Sequence, residues 1–284
     1  MKIWLDKGLV EKDQAKISVF DHGLLYGDGV FEGIRVYSGR VFELAAHLKR
    51  LYESAGVIRL AIPMTPQQMT EAIEATVRAN NVVEGYIRLI VTRGVGDLGL
   101  NPFLCKGAIV VIIIADEVKL YPKQMYENGL KVVSVSTCRS HPMALPPQIK
   151  SLNYLNNIMA KIEAIDAGAD EAIMYNNEGY VAEASGDNVF IVKDGVVYAP
   201  PVQAGSLDGI TRRIVLRLAG QEGLTVIEKN LTRFDLYVAD EFFLTGTAAE
   251  VIGVAQIDGR VIGDGKPGAV TQLLRKKFFD YAHS

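Results

Sequence analysis

Hydrophobic positions along the chain switch between a period of two and a period of nearly four. Residues 30–37 are rich in β-branched and aromatic side chains and predict a strand. Ser38-Gly39 turns the chain into a second short strand over 41–44. Residues 45–55 predict a helix ended by Gly56. Thr65, Pro66 and Gln68 carry the signature of a capped helix start. The apolar face of that helix is Met69, Ile73 and Val77, spaced by four. Residues 86–92 and 108–115 predict strands, the second apolar throughout and therefore expected to be buried on both faces.

The second half mixes strands and helices. Residues 131–137 predict a strand, 139–150 a proline-rich loop and 153–167 a helix closed by Gly168. Asp194-Gly195 and Asp258-Gly259 lie between apolar strands and predict tight hairpins. An amphipathic helix is expected over 210–218, and a last one from near Pro267. Hairpins outnumber alternating βαβ units, so the expected class is α+β with mixed sheets. A length of 284 residues suits two domains. The expected division is 1–116, an interdomain loop over 117–127, and a larger domain over 128–284 carrying Lys150.

Composition narrows the chemistry. With Lys+Arg 30 against Asp+Glu 33, the formal net charge of −3 offers no basic field for nucleic acid and no basic face for a membrane. The two cysteines, Cys105 and Cys138, make no CxxC pair, and the four histidines form no metal-ligand spacing, so no metal is expected. No signal-peptide or membrane-spanning stretch is evident, and a soluble cytoplasmic protein is the expectation.

Several segments carry candidate chemistry. Gly94-Val95-Gly96-Asp97-Leu98-Gly99 matches GxGxxG after a strand, but Leu100-Asn101-Pro102 follows, and a buried strand begins by Ala108. The helix a dinucleotide fold requires has no room there, so a glycine-rich active-site loop is the better reading. Lys150 stands where the proline-rich loop meets a helix, with the amides Asn153, Asn156 and Asn157 close behind. Glu183 alternates with Val181 at a strand and is able to point inward. Leu207-Asp208-Gly209-Ile210-Thr211 opens a helix whose first N–H groups form an anion site. Thr245-Gly246-Thr247-Ala248 ends a strand in a small-residue turn of the same capability. Tyr26-Gly27-Asp28-Gly29-Val30-Phe31-Glu32-Gly33-Ile34-Arg35 sets glycines among aromatics, and Arg50 lies on a helix.

Taken together, these segments resemble the fold-type IV pyridoxal-phosphate enzymes, and among them the branched-chain amino acid aminotransferases. The resemblance runs from Ser18-Val19-Phe20-Asp21-His22-Gly23 to Gly246-Thr247-Ala248-Ala249-Glu250. It implies a two-domain, D-amino-acid-aminotransferase-like fold with the cofactor in the interdomain cleft, assembled as a homodimer or higher homo-oligomer. It implies that Lys150 is the catalytic residue, forming a Schiff base with pyridoxal 5'-phosphate and moving the α-proton. Glu183 would face the pyridine nitrogen, with Ser185 and Gly186 beside it. Arg50, Ile210 and Thr211 would hold the phosphate, Thr247 would also contact the cofactor, and Tyr154 would flank the phenolic oxygen.

For substrate, the resemblance implies backbone N–H groups from Thr247 and Ala248 and the Tyr86 hydroxyl at the α-carboxylate. Arg88, with Arg35 nearby, would receive the distal carboxylate of glutamate or 2-oxoglutarate. Tyr26, Phe31, Leu98 and Leu100 would line the side-chain pocket, the last two on a loop from the partner subunit. D-Amino-acid aminotransferases typically carry Arg-x-His in that loop, and aminodeoxychorismate lyases an Arg-Gly-Tyr; here Leu98-Gly99-Leu100 stands there. Two leucines cannot anchor a carboxylate. The expected reaction is transfer from leucine, isoleucine or valine to 2-oxoglutarate. A D-amino-acid or (R)-amine transaminase is the alternative, and an aminodeoxychorismate lyase stands further off.

Overall fold

The computed structural model describes residues 1–117 and 121–284. The chain divides into two compact units, Met1–Lys119 with Ile149–Asn153, and Leu120–Gln148 with Tyr154–Ser284.

The first unit contains β1 (Lys2–Leu5), β2 (Gly8–Glu11), α1 (His22–Tyr26), β3 (Gly29–Tyr37), β4 (Arg40–Val41), α2 (Leu44–Val57), α3 (Pro66–Ala79), β5 (Gly85–Thr92) and β6 (Val110–Glu117). Its six strands form an antiparallel sheet in the order β2-β1-β6-β5-β3-β4. Strand alternation puts Val30, Ile34, Val36, Ile87, Leu89 and Val91 on one face, in a core with Leu48 and Leu51 of α2 and Met69, Ile73 and Val77 of α3. Each fully buried aliphatic side chain there contributes about 2 kcal/mol, which fixes the register of β3 on β5. α3 starts as its sequence dictates. Gln68 N donates to Thr65 Oγ1 at 3.2 Å, and Thr65 N donates to Gln68 Oε1 at 2.8 Å.

Three expectations shift in this unit. The strand after Ser38-Gly39 covers only Arg40–Val41, because Glu43 takes a left-handed φ of 51° and starts α2. α2 continues through Gly56 to Val57. β6 is not buried on both faces: Val111, Ile113 and Ala115 are buried, while Val110, Ile112 and Ile114 are half-exposed. Within the unit α3 covers only one side of that strand, so a uniformly apolar sequence meets two different surroundings.

The second unit contains α4 (Lys123–Asn128), β7 (Leu130–Ser134), α5 (Leu155–Asp166), β8 (Glu171–Tyr175), β9 (Val181–Ala184), β10 (Asn188–Lys193), β11 (Val196–Ala199), α6 (Ile210–Gln221), β12 (Val226–Glu228), α7 (Arg233–Tyr237), β13 (Glu241–Gly246), β14 (Glu250–Ile257), β15 (Arg260–Val261) and α8 (Ala269–Ala282). Its nine-stranded sheet runs β12-β11-β10-β13-β14-β7-β8-β9, with β15 on β14. The pairs β11–β12, β14–β7 and β7–β8 are parallel and the others antiparallel. Both Asp-Gly turns close hairpins, with positive φ at Asp194 and Gly195 and at Asp258 and Gly259, as a two-residue turn between twisted strands requires. Of the loop expected over 117–127, residues 118–120 lie outside the described residues, and α4 begins at Lys123. The helix expected from 153 begins at Leu155, with Tyr154 at its N-cap. Among the described residues no helix is long and apolar enough to cross a membrane.

The segment Ile149–Asn153 groups with the first unit, whereas the sequence division placed it with the later residues. The cause is backbone pairing on the side of β3 away from β5. Phe31 N donates to Lys150 O at 2.9 Å, Leu152 N donates to Gly29 O at 3.0 Å, and Val30 bridges Ser151.

Candidate active site

In the first unit the face of the sheet opposite the α2–α3 core carries Phe31, Gly33 and Arg35 of β3 and Tyr86 and Arg88 of β5. The register sets Gly33 across from Arg88 and Arg35 across from Tyr86. The Tyr86 ring lies over Gly33, where a Cβ would come within 1.7 Å of its hydroxyl; only glycine permits this crossing. The Arg88 guanidinium lies 4.6 Å from the Phe31 ring centre and 3.5 Å from the Tyr86 hydroxyl. Lys150 Nζ lies 4.5 Å from the same Phe31 ring. Arg35 is 3% exposed, with its guanidinium 4.6 Å from the Tyr37 ring. An amine and a cation suited to carboxylates therefore share one aromatic ring.

Behind this face, between the sheet and α2, lies a buried charge cluster. Arg50 donates through Nε to Glu32 Oε1 at 2.7 Å and through Nη2 to Glu32 Oε2 at 2.8 Å. His47 Nδ1 donates to Glu32 Oε2 at 2.8 Å. Burial opposes charge on Glu32, but the bonds from Arg50 and His47 outweigh it and hold the carboxyl at about 2. Burial pushes the His47 imidazole down, partly offset by Glu32. Ser54, one turn beyond Arg50 on α2, accepts from Lys150 N at 3.2 Å. The cluster thus fixes the plane of the Arg50 guanidinium, and α2 also steadies the Lys150 backbone.

In the second unit Glu183, on β9, is 5% exposed. Its Oε1 accepts from Arg139 Nε at 2.7 Å and its Oε2 from Leu207 N at 2.9 Å. Arg139 Nη1 donates in turn to Asn156 Oδ1 at 2.9 Å and Asn157 Oδ1 at 3.3 Å, both at the start of α5. Asn157 Nδ2 donates to Ser185 O at 2.8 Å. The Ser185 hydroxyl donates to Glu171, which also receives Lys161.

Two anion-ready turns belong to this unit. The N-cap of α6 is Gly209 with no side-chain cap, so the first N–H groups of a twelve-residue helix, from Ile210 and Thr211 onward, point outward unmet by a capping group. A Cβ at Gly209 would meet Asn188 Oδ1 at 2.0 Å, so the turn depends on glycine. Thr247, Ala248 and Ala249 form the turn between β13 and β14, with Thr247 half-buried and Ala248 exposed. Next to these turns the buried hydroxyls of Ser206 and Thr245 have no hydrogen-bond partner among the described residues. Unmet donors beside an uncapped helix start are the surroundings a phosphate fits.

The structure brings Lys150, Phe31, Arg35, Tyr86 and Arg88 together, with Arg50 behind them. Glu183, Ser185, Ile210, Thr211 and Thr247 lie in the second unit, Gly186 is exposed there, and half-buried Tyr154 caps α5. The Tyr26 hydroxyl donates to Leu98 O at 2.8 Å, while Leu98 and Leu100 are 70% and 79% exposed, so in the single chain these leucines do not line a buried pocket. No α-helix follows Gly94–Gly99 before β6, only a three-residue 3-10 turn at Pro102–Leu104; the loop packs on the segment before α1, with Gly96 N donating to Phe20 O at 3.1 Å. Glu32, His47 and Arg139 escaped the sequence reading. His47 and Arg50, three apart on one face of α2, were a legible signal; Arg139 sits in a proline-rich loop without one.

The Amino-transferase class IV family matches residues 29–257. The chain is 51% identical over 280 residues to a putative branched-chain-amino-acid aminotransferase of Methanocaldococcus jannaschii, covering 99% of this chain and 96% of that one. It is 44% identical over 284 residues to the branched-chain-amino-acid aminotransferase of Pseudomonas aeruginosa, covering 98% and 92%. The T.th. branched-chain amino acid aminotransferase, solved with pyridoxamine 5'-phosphate, superposes with a TM-score of 0.95 at 41% identity, covering 99% of this chain and 94% of that one. The same enzyme has been solved with N-(5'-phosphopyridoxyl)-L-glutamate and with 4-methylvaleric acid. With its fold, the lysine and arginines gathered on one face of the first unit, and these likenesses in view, the chain belongs to the class IV aminotransferases.

Proposed function

We propose that this aminotransferase uses pyridoxal 5'-phosphate to transfer the amino group of L-leucine, L-isoleucine or L-valine to 2-oxoglutarate, giving the branched 2-oxo acids and L-glutamate. The observation that carries the reading is Lys150 Nζ beside the Phe31 ring that also supports Arg88. The related T.th. enzyme supports both halves, because it takes a phosphopyridoxyl-glutamate and a branched aliphatic acid.

The residues present fit the cofactor: a lysine for its aldehyde, a buried acid for its ring nitrogen, and an uncapped α6 start with orphaned Ser206 and Thr245 hydroxyls for its phosphate. When bound, pyridoxal phosphate supplies the electron sink for the pair left by the broken α C–H bond. Lys150 would hold the cofactor through its aldehyde and, once the substrate amine has displaced it, its free Nζ would move the proton at the substrate Cα. Glu183 presents its carboxylate to the ring nitrogen. Arg50 and the N–H groups of Ile210 and Thr211 bind the phosphate, Thr247 also contacts the cofactor, and Tyr154, Ser185 and Gly186 border the ring. Tyr86, Thr247 and Ala248 bind the α-carboxylate. Arg88, with Arg35 nearby, receives the distal carboxylate of the five-carbon partner. Phe31 and Tyr26, with the partner subunit's Leu98 and the partner subunit's Leu100, surround the aliphatic group.

The enzyme would act in the cytoplasm as a homodimer or larger homo-oligomer. The exposed apolar stripe of α5, Leu155, Ile158, Met159, Ile162 and Ile165, supports self-association. Half-reactions followed by the cofactor's absorbance test the substrate reading. L-Leucine should convert the enzyme fast and D-alanine or (R)-phenylethylamine slowly; faster conversion by D-alanine would replace it with the D-amino-acid reading. Arg88→Ala should slow the glutamate half-reaction far more than the leucine one, and equal slowing would remove Arg88 from the distal carboxylate.

A further inference from the structure

The amides that follow Lys150 in the sequence have a use that transamination alone does not give them. Asn156 and Asn157 stand in the first turn of α5, where a solvated helix start would need no paired carbonyl oxygens aimed at one cation. Both oxygens meet Arg139 Nη1, and Arg139 Nε meets Glu183 Oε1. Each amide is also tied on its nitrogen side, Asn156 Nδ2 to Cys138 O at 2.8 Å and Asn157 Nδ2 to Ser185 O at 2.8 Å. The guanidinium is therefore held by two amides that cannot rotate without losing backbone bonds, and the side chains of Arg139 and Glu183 are 9% and 7% exposed.

We infer that Arg139, clamped by Asn156 and Asn157, is the positioning residue that sets Glu183 against the cofactor's ring nitrogen. The inference rests on Glu183 having that partner. A carboxylate has about four acceptor sites. Glu183 uses one on each oxygen, for Arg139 and for Leu207 N, which leaves about two acceptor sites open to a further donor. Without Arg139 the acid would keep only the Leu207 bond. It would then swing about its last torsion, so its charge would no longer point in one direction. Lysine at 139 would restore a cation within reach but not the planar fork that meets acid and amides together.

The holoenzyme loaded with 15N-labelled pyridoxal phosphate tests this, read as the ring-nitrogen signal by NMR alongside the melting temperature of each variant. Glu183→Gln should move the signal away from the protonated position. Arg139→Met should move it the same way, with kcat for leucine lower by about tenfold and KM little changed. Arg139→Lys should recover part of the signal. If Glu183→Gln moves the signal and Arg139→Met leaves it in place, the inference is overturned while the Glu183 reading stands. If neither moves it, the Glu183 reading falls and the inference with it. Should Arg139→Met not fold, the double variant Asn156→Ala, Asn157→Ala carries the test, since it loosens the guanidinium without deleting it. A partial displacement of the signal is then expected, and an unmoved signal overturns the inference.

Discussion

The two units each contain a carboxylate gripped by an arginine, and the pairs differ in which member is finished. In the first unit Glu32 is completely buried and takes three donors, two from Arg50 and one from His47. Its acceptor capacity is nearly full, so it serves as the holder and the arginine is what it aims. In the second unit Arg139 is tied to two amides and to the acid, while Glu183 takes two donors. There the arginine is the holder and the acid is aimed. The same ion pair therefore points a cation in one place and an anion in the other. The polarity is decided by whose hydrogen-bonding sites the neighbours fill.

The strongest way to break this comparison is Glu32→Gln. It leaves Arg50 charged and buried without its counterion, and the unfolding free energy should drop by about 3–5 kcal/mol in urea titration. A loss near that of an exposed pair would mean that Glu32 holds nothing. Next comes pH. Glu32 and His47 both bind protons more weakly folded than unfolded, so acid favours unfolding through each. Stability should be full near neutrality, start to fall as pH drops through the ordinary histidine range, and keep falling until Glu32 is protonated at about 2. The difference between the parent and Glu32→Gln, followed by urea midpoint against pH, should contain that lower limb; parallel curves would contradict it.

A smaller effect belongs to the second unit. Asn157→Ala removes one bond to Arg139 and one to Ser185 O, and should cost about 1–2 kcal/mol. If it matched Glu32→Gln, the amide clamp would be the more important of the two supports. The smallest effect calibrates the others. Lys49 faces Glu53 at 3.8 Å with both side chains more than half exposed, and Lys49→Ala should change stability by under about 0.5 kcal/mol.

Local sequence specified most of the elements and the boundaries that carry their own chemistry. The Thr65–Gln68 cap and the two Asp-Gly hairpins depend on residues within a few positions of each other, and they fold as read. Boundaries that depend on distant partners were not legible. Ile149–Asn153 falls in the first unit because it pairs with β3, and β6 has one half-exposed face because only one is covered within its unit. Lys150, Glu183, Arg50 and Arg88, the residues proposed for the chemistry, stood out as motifs in the sequence. Their supports did not: Arg139 lies 44 positions before Glu183, and Glu32 lies 18 before Arg50.

By itself, then, the sequence determined the strand and helix periods, the glycine turns that present backbone N–H groups, and the side chains proposed to react. Their chemistry is written in residue type and short spacing. Tertiary structure alone decided that Gly33 lets the Tyr86 ring cross β3, that the Lys150 segment pairs with β3, and that Asn156 and Asn157 hold Arg139 on Glu183. Those arrangements depend on which surfaces meet after the chain has folded. A hydrogen bond between residues far apart in sequence leaves no pattern in the residues adjacent to either end.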